Sequence, residues 1–449
     1  MSQKPVIIIL VGVSGDLSKR KLLPALTQLF LANVLPQKIK IIGVTRRLDV
    51  TLEPLLENVV EKDFLRSALE IYTMDLDEEA AYSALQNHIE SLEEAFGAPS
   101  DHLFYLSVPP QVSRPIIEFL GKVGLNSVTN SKLMVEKPFG VDLATAQDLI
   151  THIDTYFTSD QVYRIDHYVA KEMAQNIAIF RDGSSLFKRT WNNTFIEAIE
   201  IRATEAIGIE GRATFYEQTG ALRDLIQSHL MALTALTLMD TPTADLMAEI
   251  PHRRLAILKT LQVSTGVPVL ASAKRGQYNG YAMQAENPGS NVETFASIIL
   301  ESSDLRWTGV PITLTTGKAL SEKATEIRIT YRKDEPYEAD QLVLRLQPNE
   351  GVSLSILNKT PGYENEVNQQ TLSFNYREHY NESPEGYERV FLDAIQSDHR
   401  LFTTSAEVLE TWRILAPIQA AWKTAGKNGL KIYDQGATVE TITNELVGS

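Results

Sequence analysis

The feature that most restricts this chain lies in its first third, where short unbroken apolar runs alternate with amphipathic stretches. Residues 6–11 (VIIILV) precede an amphipathic 17–35, and 39–44 follows; later 103–108 precedes 113–120, and 133–136 precedes 144–156. Runs that are apolar at every position, rather than at every second one, suit strands covered on both faces. Strand and helix repeated in this way predict βα units and a mostly parallel, doubly wound sheet. Residues 49–100 are acidic and less regular, and read only as helices over that sheet.

After about residue 195 the pattern changes. Ile327, Ile329 and Tyr331 alternate with Arg328, Thr330 and Arg332, and Leu342, Leu344 and Leu346 alternate with Val343, Arg345 and Gln347. A period of two, with one face buried and one wetter, predicts an antiparallel sheet. Helices are expected over 214–239, near 385–396 and over 406–424. The architecture expected is a Rossmann-like doubly wound α/β domain over 1–170, then a larger α+β domain over 171–449 built on a mainly antiparallel sheet and helices.

With 449 residues, 43% of them hydrophobic, the chain can bury a large core without disulfides or metal. A formal charge of −15 opposes any general nucleic-acid or anionic-membrane surface, so an anionic ligand has to meet a local basic pocket. There is no cysteine, which removes thiolate nucleophiles and Cys-ligated metal. The most apolar runs, 6–13 and about 230–239, fall short of the ~20 residues of a membrane helix. Residues 6–13 also run straight into a Gly turn and a basic helix, unlike a signal peptide, so cytoplasmic residence is expected. No HExxH, paired-His or GxSxG pattern occurs; no metal is expected, and acyl-enzyme chemistry has no support.

The first apolar run ends in Gly12-Val13-Ser14-Gly15-Asp16-Leu17, followed by Lys19, Arg20 and Lys21. Glycines allow a tight turn and close backbone approach, and the following helix N-terminus offers free N–H groups to a pyrophosphate. GxxGDL is not the full GxGxxG fingerprint, and it also fits a plain strand-to-helix turn capped by a Ser or Asp. At the end of the next run, Arg46 and Arg47 stand where an acid would hold a bare ribose. Two arginines suit a 2′-phosphate and favour NADP over NAD; solvated loop arginines are the alternative.

Residues 164–172 (RIDHYVAKE) pack Asp166, His167, Tyr168 and Lys171 between a short strand and a helix. Lys171, His167 and Tyr168 could hold a phosphate or sugar hydroxyls; an ordinary polar strand end is the other reading. His229 lies among Leu222, Leu225, Ile226, Leu230 and Leu233 on an apolar helix face. It reads either as a satisfied core histidine or as a general base whose tautomer a carboxylate fixes.

Taken together, these segments resemble the glucose-6-phosphate dehydrogenase family. Its GxxGDLxxxK is similar to 12–21, its EKPFG to 136–140 and its RIDHYxxKE to 164–172. Its GxEGR, RDxxQxHL, RWxGVPxxLxxGKAL and QLVxRxQPNE resemble 208–212, 223–230, 306–320 and 341–350, in collinear order. The resemblance implies NADP-dependent oxidation of C1 of glucose 6-phosphate, with His229 as general base and Asp166 hydrogen-bonded behind it. It also implies His167, Tyr168 and Lys171 on the phosphate and sugar, and Lys21 and Lys137 at the reacting end, Lys137 on the cofactor side as well. Glu205 and Asp224 would hold hydroxyls, and Lys318 and Lys323 would complete a basic cluster. Gly12, Ser14, Gly15, Asp16, Leu17 and Arg46 would line the cofactor. A cis Lys137-Pro138 step and a homodimer or homotetramer follow from the same resemblance.

Departures from the family pattern include Arg181-Asp182-Gly183-Ser184, Ala170, Ile209 and Ser228. Alternatives are a divergent relative acting on another sugar phosphate or with NAD, and a non-catalytic NADP- or sugar-phosphate-binding homologue.

Overall fold

The structure, a computed structural model, describes residues 4–128, 130–240, 249–333, 337–380 and 384–447. Two compact units emerge: Met1–Gly140, Ala144–Ala170 and Pro384–Ser405 form the first, and Val141–Leu143, Lys171–Ser383 and Ala406–Ser449 the second.

The first unit is built on six parallel strands, β1 (Val6–Val11), β2 (Ile39–Thr45), β3 (Leu69–Thr73), β4 (Asp101–Leu106), β5 (Ser131–Val135) and β6 (Val162–Arg164). Their order is β3-β2-β1-β4-β5-β6, the doubly wound arrangement. β1 is central, pairing Val6 with Ile39 on one side and with Asp101 on the other, and all six of its residues are buried. Helices on the two faces leave no wet side, which is why the sequence shows unbroken apolar runs. One expectation fails here: 49–100 contains β3 as well as helices Lys62–Ala68 and Glu79–Phe96. β3 is an edge strand with Glu70, Ile71 and Tyr72 only half-buried, so it lacks the apolar run that marks an interior strand.

Residues 384–405 return to this unit from far along the chain. Lys132 on β5 donates from Nζ to the carbonyls of Ala394 (2.5 Å) and Ile395 (3.2 Å), at the end of helix Gly386–Ile395. Burial brings its ammonium down to about 8. On the same helix Asp393 is fully buried, and burial pushes its carboxyl up to about 6 even with Arg389 Nε 2.8 Å away. A carboxyl raised above its unfolded value binds protons in the folded state, so stability falls as pH rises through about 6. Asp393→Asn is therefore expected to stabilise the protein by on the order of 2 kcal/mol at neutral pH and to change little near pH 4. Thermal melts at the two pH values check this; equal shifts at both would refute it.

The second unit carries one mixed, mainly antiparallel sheet. Its strands are β7 (Ile196–Thr204), β8 (Leu261–Val263), β9 (Ala273–Tyr278), β10 (Phe295–Ser302), β11 (Ile312–Gly317), β12 (Ala324–Tyr331), β13 (Gln341–Gln347), β14 (Gly351–Lys359), β15 (Val367–Asn375) and β16 (Leu430–Tyr433). They run β15-β14-β13-β12-β7-β11-β10-β9-β16, with β8 beside β10; among the described residues of this sheet only β7–β11 and β9–β16 pair in parallel. Ile327, Ile329, Leu342, Leu344 and Leu346 are fully buried, as their alternation requires. This is the fold class expected from the sequence.

The helix expected over 214–239 is not continuous. It runs Ala213–Ala221, breaks at Gly220 (φ 65°, ψ 174°), and resumes as a wide π-wound Leu222–Leu230 and an α-helical Met231–Leu238. Glu293 packs into the break: its Oε1 accepts Leu222 N–H at 3.0 Å and would lie 2.5 Å from a Cβ at position 220, so only glycine fits there. Among the described residues no helix is long and apolar enough to cross a membrane.

Candidate active site

In the first unit the Gly turn sits where sheet topology places ligands. The chain winds in opposite directions from β1 and β4, and the crevice beyond their carboxyl ends is the binding position of this architecture. Gly12 follows β1 with φ 90°, and a Cβ there would lie 2.4 Å from the Ser107 carbonyl oxygen just after β4. Gly15 N–H closes the turn on Gly12 O at 3.0 Å, and Ser18 Oγ donates to the same oxygen at 3.1 Å. Ser14 and Leu17 line the turn part-exposed, while Asp16 points outward to Arg20 at 2.7 Å. The helix that follows starts with a π-wound Ser18–Leu22. Such winding concentrates at functional sites, and among the described residues its other occurrence is Leu222–Leu230. Arg46, at the end of β2, is exposed and makes no ion pair among the described residues; Arg47 is engaged with Asp49 at 2.8 Å. A turn with glycine at both of its hydrogen-bonded positions, a helix start and an uncommitted guanidinium fit a dinucleotide phosphate.

At the ends of β5 and β6 the same unit gathers acids and aromatics. Asp166 is buried and its Oδ1 accepts Tyr168 N–H at 3.0 Å, which fixes the carboxylate by a local turn. His167 is stacked on Tyr387 (5.6 Å between centroids, 16° between planes), and Gly386 passes so close that a Cβ would meet His167 O at 2.7 Å. Tyr105 donates to Glu136 Oε1 at 2.6 Å. Desolvation raises the Glu136 carboxyl, and hydrogen bonds from Tyr105 and Tyr387 and the charge of Lys137 oppose that rise. The Lys137-Pro138 peptide is cis, as the family resemblance implies. Lys21 pairs with Glu385 at 2.8 Å. Sequence reasoning named Lys21, Lys137, Asp166, His167 and Tyr168 as site residues; it matched Tyr387–Arg389 to a family YER element without giving Tyr387 a role, and it missed Tyr105 and Glu385. The helix near 385–396 was expected, but nothing local shows that 384–405 folds back to bring Glu385 to Lys21 and Tyr387 to His167.

The second unit has its own cluster. Lys318, at the end of β11, is buried, ion-paired with Glu205 Oε2, 3.9 Å from Asp224 Oδ2 and 5.1 Å above the Tyr216 ring. The expected set Glu205, Asp224 and Lys318 is thus brought together, but Lys318 is spent on two acids rather than left free for an anion. Lys323 stands apart, exposed on the turn before β12 with no ion pair among the described residues. Lys171 leads into helix Glu172–Gly183 and lies 4.0 Å from Glu350 Oε1. Burial raises the Glu350 carboxyl, and Lys171 counters it. His229 is 1% exposed, on the π-wound segment that also carries Asp224. Asp166 belongs to the first unit and His229 to the second.

Residues 9–176 match the family model for the glucose-6-phosphate dehydrogenase NAD binding domain, and 178–448 match that for the glucose-6-phosphate dehydrogenase C-terminal domain. The chain belongs to the glucose-6-phosphate dehydrogenase family. Glucose-6-phosphate 1-dehydrogenase of Chlamydia muridarum is 34% identical over 93% of this chain and 90% of its own length. The Bacillus subtilis protein of that name is 32% identical over 99% and 97%. A solved glucose-6-phosphate dehydrogenase in complex with its substrate glucose-6-phosphate has a TM-score of 0.90 and 30% identity, covering 100% of this chain and 98% of that one.

Within this glucose-6-phosphate dehydrogenase family member the departures from pattern are packing changes. Arg181 is buried and donates to the Met239 carbonyl at 2.5 Å. Ala170 is buried, and Ile209 packs with Tyr216, Tyr278 and Tyr281. Ser228 Oγ donates to Asp224 O at 3.4 Å. None of these removes an acid, base or cation of the set above.

Proposed function

We propose that the protein oxidises C1 of D-glucose 6-phosphate to 6-phospho-D-glucono-1,5-lactone with NADP as acceptor. Family membership across nearly the whole chain carries the reading, and it comes with Asp166, Lys171 and His229 all retained. That joint retention favours catalysis over a non-catalytic binding role.

The hemiacetal carbon C1 releases hydride only as the proton of its hydroxyl leaves and C1=O forms, so the chain has to supply a base. His229 takes that proton on its imidazole. Asp166, already oriented by Tyr168 N–H, pairs with the ring, fixes its tautomer and stabilises the imidazolium. His167, Tyr168 and Lys171 hold the phosphate and the sugar, and Glu350 steers the Lys171 ammonium. Glu205 and Asp224 accept sugar hydroxyls, aimed by Lys318 between them. Lys323 adds a second cation, and Lys21 and Lys137 lie at the reacting end. Gly12, Ser14, Gly15, Asp16, Leu17 and Lys137 line the dinucleotide, whose nicotinamide, when bound, accepts hydride.

Arg46 supplies the choice of NADP, through a charge-assisted bond to the 2′-phosphate. Arg46→Ala is expected to weaken NADP by about 10- to 100-fold, the worth of one charged hydrogen bond, and to leave NAD nearly unchanged. Steady-state kinetics with each cofactor check this; equal losses would refute the assignment. The reading as a whole is tested by following reduced-nicotinamide absorbance with glucose 6-phosphate and with glucose. Turnover of glucose 6-phosphate alone supports it, and equal turnover of glucose would overturn the phosphate roles of His167 and Lys171.

A further inference from the structure

We infer that Glu293 and Arg181 are positioning residues that hold, from its two ends, the helix carrying Asp224 and His229. The catalytic meaning of the inference rests on the proposed role of His229; the geometry does not.

From Leu222 to Leu238 the backbone is one helix in two windings, the first wide enough that Met231 N–H reaches Ile226 O. Helix ends leave amides and carbonyls without partners, and inside a protein these have to be met by side chains. At the amide end one residue does this twice: Glu293 accepts Ala221 N–H on its carbonyl at 2.9 Å and Leu222 N–H on Oε1 at 3.0 Å. Glu293 is 6% exposed, and Gly220 is the residue that lets the chain turn so tightly against its carboxylate. The next residue, Thr294, accepts Lys318 N–H at 2.9 Å, and the Lys318 ammonium faces Asp224. The first residue of the helix and the third are therefore tied to the same corner of the sheet.

At the carbonyl end three buried donors converge. Arg181 Nη1 donates to Met239 O at 2.5 Å, Trp191 Nε1 to Thr237 O at 2.8 Å and Trp307 Nε1 to Leu238 O at 2.8 Å. Arg181 is itself ion-paired with Asp182 at 3.0 Å, so its hold on the helix is the hydrogen bond to Met239 O and not a free charge. The wide winding makes this clamp consequential. π-turns are less favourable than α-turns, so a released segment relaxes towards α winding. That changes the rotation between Asp224 and His229, and an error of an ångström at the reacting atoms costs about 10²-fold in rate.

The test uses the full-length protein. Glu293→Ala is expected to lower kcat by about 10²-fold, to leave KM for NADP unchanged, and to speed hydrogen exchange in peptides spanning 222–238 while the rest of the second unit keeps its protection. Glu293→Gln, which keeps the acceptor, recovers most of both effects, and Arg181→Met reproduces the loss from the other end. If Glu293→Ala does not fold, Glu293→Asp, which withdraws the acceptor by one carbon, is read in its place with the same outcomes. Unchanged exchange in 222–238, or a rise in KM for NADP equal to the loss in kcat, overturns the inference. His229→Ala is run alongside. Full activity there sinks the general-base reading while exchange still decides whether Glu293 holds the helix.

Discussion

Replacing His229 by alanine is expected to lower kcat by about 10² to 10⁴-fold, the usual contribution of a positioned general base. The imidazole is 1% exposed, so solvent cannot stand in for it readily. The sugar and phosphate contacts assigned to Lys171, His167, Glu205 and Asp224 stay in place, so KM for glucose 6-phosphate should move far less than kcat. A loss in kcat with little change in KM identifies a group that acts mainly in the transition state. Truncating a buried side chain also leaves a cavity, so the variant needs a melt beside its kinetics. Activity within tenfold of wild type, in a folded variant, would place the base elsewhere.

Gly12→Ala is expected to abolish dinucleotide binding, with the affinity falling by at least about 10²-fold, because two penalties coincide at one atom. At φ 90° any side chain is strained, and the new Cβ would sit 2.4 Å from Ser107 O and 3.0 Å from Val108 Cγ1. The obstructing atom is backbone at the end of β4, so relief requires the ends of β1 and β4 to separate, which reshapes the phosphate turn. A destabilisation of about 2 kcal/mol or more should accompany the loss. Gly97 supplies the control. It too has a positive φ, 68°, but nothing lies within 4 Å of a Cβ built there. Gly97→Ala should therefore cost about 1 kcal/mol of stability and no affinity. Calorimetric titration with NADP decides: equal affinities for the two variants would remove Gly12 from the cofactor site.

Much of the first unit was legible because of what a doubly covered sheet demands. β1, β2, β4 and β5 have almost no wet positions, and their apolar runs are visible without any partner. β3 was not legible, since an edge strand keeps residues such as Glu70 and Tyr72 part-exposed. β13 was legible for the opposite reason, its faces alternating dry and damp along its whole length, and β12 shares that alternation from Ile327 to Thr330. Gly220 reads in sequence as an ordinary helix glycine; only the fold shows that the chain breaks there against Glu293, seventy-three positions on, where no Cβ fits. Lys318 reads as a free cation beside a Gly, yet folding surrounds it with Glu205 and Asp224.

The order of apolar runs was enough for the fold class, and the collinear motifs from 12–21 through 136–140 and 164–172 to 341–350 carried the resemblance to the family and with it the chemical inventory. Each of these is a local property: backbone sterics, burial of adjacent residues, or which functional groups stand side by side. The tertiary structure alone decided that 384–405 closes over His167 with Gly386 and Tyr387, that Lys318 is ion-paired with Glu205, and that the His229 helix is pinned at both ends. Those are encounters between residues tens to hundreds of positions apart, and a linear pattern carries no record of which distant side chain fills a given space.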